Sequence, residues 1–232
     1  MSVPRQHHHP RLFDDQRWAV GGTAALYVLA IVLMIWMAFG RSTLQPLDDW
    51  FYDSMVSIQS GFLTFFAKLF NYVGSTWVTL PLRVGVGALL WAQKRWEWLT
   101  VWIASIVVSE IFVTVFKLLY DRPRPTDPLV STTGASFPSG HAIAGAVTAV
   151  ALVIVFLPAG PHRRIWELVA VGFAFFMAMS RTYLRAHWLT DVIAGVLLGA
   201  AAAVGVAAVV HVWWLRNRAS PEEVAADAGR AA

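Results

Sequence analysis

Between Arg17 and Arg41 the chain carries no charged side chain, and the stretch from Trp18 to Gly40 is apolar almost throughout. About 20 such residues suffice to cross the hydrocarbon of a bilayer as one helix. In that solvent a backbone must satisfy its own polar groups, so helices or a closed barrel are the only spanning structures open to it. A cleavable signal peptide would have a shorter apolar core and a small-residue cleavage site, so a retained helix is expected. Further apolar runs at about 71–93, 96–117, 141–158, 165–184 and 188–214 bring the expected spans to six.

The fold class expected is therefore all-α: a polytopic membrane protein of six transmembrane helices. Hydrophobic residues make up 57% of the 232 and charged residues 14%, against about 25% charged in soluble domains. There is no cysteine, which excludes disulfides, thiolate catalysis and Cys-based metal sites. The net charge of +4 is dispersed along short connections and forms no basic patch, so nucleic acid is not an expected partner. The organisation expected is an N-terminal tail over residues 1–17, a membrane domain over 18–215 and a C-terminal tail over 216–232. The His7-His8-His9 run falls in the first tail and is given no role.

Residues 41–70 interrupt the pattern, because Asp48, Asp49 and Asp53 alternate with Trp50, Phe51, Phe62, Phe65, Phe66 and Phe70. This reads as a short amphipathic segment lying at the interface between the first and second spans, either a membrane-seated connector or a rim for lipid entry. Orientation follows from Lys and Arg. Lys94-Arg95, Arg163-Arg164 and Arg216 with Arg218 fall in alternate connections, on the side of the N-terminal arginines, which predicts cytosolic termini. The remaining cations, chiefly Lys117, Arg122, Arg124, Arg181 and Arg185, cluster on the other side, facing away from the cytosol.

Two charges lie deeper in the apolar runs: Arg83, near the middle of the second span, and Glu110, on the third. Each is costly alone, so a mutual ion pair, or a contact from Glu110 toward Lys117, is expected. Gly195, Gly199 and Ala203, at intervals of four on the last span, predict a close helix-packing face.

Three stretches carry chemistry. In Lys117-Leu-Leu-Tyr-Asp-Arg-Pro-Arg-Pro125 the two prolines bias Arg122 and Arg124 away from helix, so both sit on an extended segment. Lys supplies a point charge and Arg a planar fork suited to phosphate oxygens, although a snorkelling lysine and a headgroup-binding loop would read the same way. In Phe137-Pro-Ser-Gly-His141 a turn leads into a helix start, where free backbone N–H groups and the helix dipole favour an anion. Ser139 adds a hydroxyl, Gly140 admits close backbone approach, and His141 can exchange a proton near neutral pH. Ser139 as a plain N-cap is the simpler alternative. In Ser180 to Asp191, if the sixth helix begins at residue 187, His187 and Asp191 share a face at i and i+4, so the carboxylate can orient the imidazole. Asp191 as a plain helix cap, and Arg181 as a complement to a helix C-terminus, are the simpler alternatives. Those separate explanations leave unexplained why all these groups converge on one side of the membrane, where together they make a site for a dianionic phosphate.

The three stretches resemble the signature of the type 2 phosphatidic acid phosphatase superfamily, in its membrane-bound bacterial lipid phosphatase branch. They match as Lys117 with Arg124-Pro125, Pro138-Ser139-Gly140-His141, and Ser180-Arg181 with His187 and Asp191. The resemblance implies that His187 attacks phosphorus to form a phosphohistidine, with Asp191 holding its ring and His141 protonating the leaving oxygen. It implies that Lys117, Arg124, Arg181, Ser139 and the Gly140 N–H hold the phosphate oxygens, and that neither metal nor cofactor is needed. Arg122 and Arg185 lie outside the signature and are expected to make secondary contacts to a headgroup or diphosphate.

The expected activity is hydrolysis of a phosphomonoester or diphosphate of a membrane lipid at the outer face of a cytoplasmic membrane. Undecaprenyl diphosphate is favoured over phosphatidylglycerol phosphate and phosphatidic acid, because an outward site suits carrier-lipid recycling and extra arginines suit a diphosphate. Two alternatives use the same residues: a non-enzymatic lipid-phosphate binding or transport protein, and a vanadium-dependent haloperoxidase-like enzyme. The motifs say nothing of oligomeric state.

Overall fold

The structure, a computed structural model, describes residues 16–218. The His7-His8-His9 run and the tail beyond residue 218 lie outside the described residues. The described chain is all-α, with eight helices: α1 (Gln16–Phe39), α2 (Arg41–Ser57), α3 (Gly61–Val73), α4 (Thr76–Ala92), α5 (Trp96–Tyr120), α6 (Gly140–Phe156), α7 (Pro161–Tyr183) and α8 (Leu189–Arg218). It is a multi-pass membrane protein.

Each of the six expected spans falls on a helix or, for the second, on a bent pair of helices. Among the described residues four helices, α1, α5, α7 and α8, are long and apolar enough to cross a membrane, and α3 with α4, bent by 45° at their junction, makes a fifth. The sixth run, α6, is apolar but has 17 residues, or about 25 Å. It is trimmed at its end because Pro158 biases Leu157 into the extended backbone it adopts (φ −117°, ψ 124°). The segment 41–70 also differs from the single interfacial stretch expected. It splits at residues 58–60, where Ser60 caps α3 by accepting from the Leu63 N–H at 3.3 Å. Helix α3 then runs on into the second span, and its polar residues hid that continuity from a hydropathy reading.

Helix α6 is the centre of the bundle, packed by α8, α7 and α5, and most of its side chains are buried. Its contact with α8 is as close as the glycine spacing predicts. A Cβ on Gly195 would come within 2.8 Å of the Ala142 Cβ and the Ser139 carbonyl, and one on Gly199 within 2.5 Å of the Ile143 carbonyl. Ala203, one turn on, is fully buried. The outer surfaces of α1, α4, α5 and α7 carry exposed Ile31, Val84, Val107 and Val171, the faces expected of helices turned to hydrocarbon. Arg83 and Glu110 form the expected ion pair at 2.8 Å. Arg83 is fixed further by the Thr148 hydroxyl, at 3.4 Å.

Candidate active site

The sequence folds so that four helix ends and one loop meet. Helix α5 stops at Asp121, which takes a left-handed conformation (φ 32°), and the two Arg-Pro pairs that follow cannot extend a helix. Lys117 is thereby left in the last turn of α5, with Arg122 and Arg124 on the loop. Helix α6 starts at Gly140 behind Ser139, whose backbone N–H donates to the Asp191 carbonyl at 3.0 Å. Helix α7 ends at Tyr183, placing Arg181 in its last turn, and a short connector through Arg185 (φ 56°) delivers His187 to the start of α8.

His187 lies just ahead of α8, not in its first turn as expected, because Trp188 is the residue that the helix start turns on. Asp191 reaches back to accept from the Trp188 N–H at 2.9 Å, half of a capping box. Its pairing with His187 survives that correction: the His187 Nδ1 is 3.6 Å from Asp191 Oδ2, an ion-pair separation longer than a hydrogen bond. Asp191 therefore both caps the helix and faces the imidazole.

On the other side of the ring, Arg124 Nη1 stands 3.2 Å from His187 Nε2. A guanidinium can only donate, so Nε2 is the acceptor and the ring proton is on Nδ1, toward Asp191. Arg124 is held in that attitude by backbone carbonyls: those of Gly134 at 2.9 Å, Ala186 at 2.7 Å, Thr133 at 2.8 Å and Ala135 at 3.2 Å. Burial drives the His187 pKa down to about 4, against the upward pull of Asp191, so the ring is neutral at ordinary pH.

The other predicted residues converge on the same point. Arg181, buried, hydrogen-bonds the Asn71 side chain on α3. Lys117 lies within electrostatic reach of Arg124, Arg181 and Asp191, and His141 within reach of Arg181, His187 and Lys117. The His141 ring packs onto the break between α3 and α4, where only Gly74 leaves room, since a Cβ there would come within 2.9 Å of its Cδ2. Ser139 Oγ and Arg181 Nε are buried donors without a hydrogen-bond partner among the described residues. Unpaired buried donors beside a cation cluster are what an anion would satisfy.

The expectations for the two extra arginines divide. Arg185 stays partly exposed, on its left-handed turn. Arg122 is 1% exposed, so it lacks the open surface that the expected headgroup contact needs. Its guanidinium pairs with Asp48 and Asp191, each at 2.6 Å, because a charge without access to water needs carboxylates around it. Asp48 and Asn71 are the neighbours that the sequence reading did not assign to the site.

A family model described as the PAP2 superfamily matches residues 98–217, just over half of the chain. The chain belongs to the PAP2 superfamily. As a PAP2 enzyme it is a hydrolase of lipid phosphates, in a metal-independent family. Phosphatidylglycerophosphatase B of Bacillus subtilis is 29% identical over 173 residues, covering 72% of this chain and 85% of the relative. An undecaprenyl-diphosphatase of Sulfolobus acidocaldarius is 29% identical over 154 residues, covering 63% and 68%. The crystal structure of the transmembrane PAP2 type phosphatidylglycerolphosphate phosphatase from Bacillus subtilis superposes with a TM-score of 0.68 at 26% identity, over 81% of this chain and 94% of that one. The PAP2 match begins at residue 98, so α1 to α4, with Asp48, Asn71 and Gly74, lie outside it.

Proposed function

We propose that this PAP2 phosphatase transfers the terminal phosphoryl group of a membrane lipid to His187 and then to water. The observation that carries the reading is the His187 ring, set with its Nδ1–H toward Asp191 and its Nε2 lone pair toward the Arg124 guanidinium. A phosphate gripped by Arg124, Lys117 and Arg181, with Ser139 Oγ and the Gly140 N–H, would present phosphorus to that lone pair. Nε2 bonds to phosphorus as the bond to the lipid oxygen breaks, and His141 gives that oxygen its proton. Water then attacks the phosphohistidine, His141 takes a proton from it, and inorganic phosphate leaves. The three cations stabilise the charge on the non-bridging oxygens in both transition states. The site faces outward in this reading, as the distribution of loop cations supports.

Among substrates we put undecaprenyl diphosphate first, ahead of phosphatidylglycerol phosphate and phosphatidic acid. Support for a diphosphate now rests on Arg185, since Arg122 is buried among carboxylates, and on the relative named an undecaprenyl-diphosphatase. Phosphate release by the purified protein across the three lipids tests the ranking, and faster release from either glycerolipid reverses it. A protein that binds all three and releases phosphate from none would be a carrier. Chemical trapping tests the mechanism: an acid-labile phosphoenzyme is expected, persisting longer in His141→Ala and absent in His187→Ala. Chelators should leave the rate unchanged.

A further inference from the structure

Asp48 is 0% exposed, on a helix whose other carboxylates face outward, and its two oxygens make three contacts. Oδ2 pairs with Arg122 Nη2 at 2.6 Å and accepts from the Thr190 hydroxyl at 2.7 Å, while Oδ1 accepts from the Thr190 N–H at 2.9 Å. Through α2 this carboxylate is joined to the first turn of α8 and to the loop after α5. Arg122 completes the connection. Its Nη1 donates to Asp191 Oδ1 at 2.6 Å and to the Thr190 Oγ1 at 2.7 Å, its Nη2 also reaches Gln45 at 3.0 Å, and the guanidinium lies against the Trp188 ring at 5.4 Å. Asp191 receives a further donor at Oδ2, the Ser136 hydroxyl at 2.5 Å.

We propose that Asp48 and Arg122 are positioning residues for phosphoryl transfer, acting on His187 through Asp191. Two carboxylates and one guanidinium, all without access to water, sum to one negative charge, and the end of the cluster that faces an ionisable group is Asp191, against His187 Nδ1. When Nε2 bonds to phosphorus and Nδ1 keeps its proton, the ring becomes cationic, and the cluster with its histidine becomes neutral. Were Asp48 uncharged, Arg122 would neutralise Asp191 by itself, and the growing imidazolium would face no net negative charge. Were Arg122 absent, two buried carboxylates would compete to stay ionised, and one would take up a proton. Arg122 keeps Asp191 an anion, and Asp48 keeps that anion uncompensated. A purely mechanical role, tying α2 to α8, would need the hydrogen bonds but not the charge.

This inference rests on the phosphohistidine reading, and its test separates the two. Asp48→Asn keeps the shape and removes the charge. It should lower kcat and the rate of phosphoenzyme formation together by about ten- to a hundredfold, the range for partners that orient a working histidine from behind, with KM within about twofold. The same substitution in an Asp191→Asn background should cost no more than about twofold further, since the path through Asp191 is already cut. Equal losses in both backgrounds, or a raised KM with kcat retained, would overturn the proposal. If Asp48→Asn does not fold, Thr190→Val replaces it: the hydroxyl that joins Asp48 to Arg122 goes but no charge does, so kcat should fall by less than about threefold. A tenfold loss there would make the link mechanical and overturn the proposal. Full activity in His187→Ala would instead defeat the phosphohistidine reading itself, whatever Asp48 does.

Discussion

Arg83 and Arg122 both lie within the bundle, and they differ in what their partners touch. Arg83 has one carboxylate, Glu110, whose side chain is 56% exposed on the outer surface of α5, and the Arg83 side chain itself is 12% exposed. Arg122 has two carboxylates, both at 0% exposure, and is itself at 1%. The first pair ends where it begins, joining α4 to α5 with a Thr148 contact to α6. The second leads from α2 through a guanidinium to the carboxylate that faces His187. An ion pair in a membrane protein is thus structural or functional according to whether its far end meets a reacting group, and depth in the apolar run does not distinguish the cases.

The comparison breaks first, and with the largest effect, at the far end of the second network. Asp191→Asn presents an amide where Nδ1–H needs a carboxylate, so the tautomer with its lone pair on Nε2 loses its support. In a hydrolase whose histidine is held by an aspartate, that change costs about 10⁴ in kcat. A comparable loss is expected here, measured as phosphate release at saturating lipid. A loss under tenfold would mean that the 3.6 Å separation of His187 and Asp191 reflects no functional pairing. No substitution of Glu110 should approach that size.

Removing the cation is the next largest effect. Arg122→Ala leaves Asp48 and Asp191 buried together, and breaking a buried pair by deleting one partner costs about 3–5 kcal/mol. The melting temperature in detergent should therefore fall by about 10 °C, with activity lost alongside. Arg122→Lys should recover part of the stability but less of the rate, because a point charge cannot reach both carboxylates as the planar fork does. Equal recovery of both would reduce Arg122 to a structural part and make it another Arg83.

The same contrast explains what the sequence made legible. Arg83 and Glu110 stand in apolar runs, where an isolated charge is so costly that each implies the other. Lys117, Arg124, Ser139, His141, Arg181, His187 and Asp191 carry their spacing in the chain itself, since helix ends, an Arg-Pro break and a Pro-Ser-Gly turn fix which way each points. Asp48 offered no such signal. A carboxylate beside Asp49 and Asp53 on an amphipathic helix reads as one more solvated charge, and its partner Arg122 is 74 positions away. Asn71 and Gly74 were hidden for another reason: they lie at the bend between α3 and α4, and a helix whose aromatic run is broken by Thr64, Lys68 and Asn71 reads as an interfacial segment that stops where the span begins. Arg122 itself was misassigned because an Arg-Pro pair beside a phosphate motif suggests an outward arginine, and only the burial of Asp48 behind it turns it inward.

A smaller effect sharpens the comparison through pH. His187 is pushed down to about 4 chiefly by burial, and only its neutral form has the Nε2 lone pair. Protonation removes the nucleophile, so the limb of kcat/KM that His187 sets should fall through about pH 4, where an exposed histidine would begin to fail near 6.5. A limb at 6.5 would show that burial does not dominate at His187, because only solvation or the upward pull of Asp191 could hold the ring there.

The smallest effect is expected at the other arginine, and it is the control that gives the rest their meaning. Replacing Arg83 by Met and Glu110 by Gln together removes the pair without stranding either charge, and exchanging a paired buried ion for apolar volume is often neutral or mildly stabilising. Neither residue contacts His187, Asp191 or the three phosphate-facing cations, and the Arg83 side chain reaches α6 only by the long bond to Thr148, at 3.4 Å. Phosphate release should stay within about twofold and the melting temperature within a few degrees. A large fall in kcat with stability intact would show that charge on α4 and α5 is felt at the site through α6. The division between a pair that holds helices together and a network that sets a nucleophile would then fail, and the Asp48 result would have to be read as one instance of a field spread over the whole bundle.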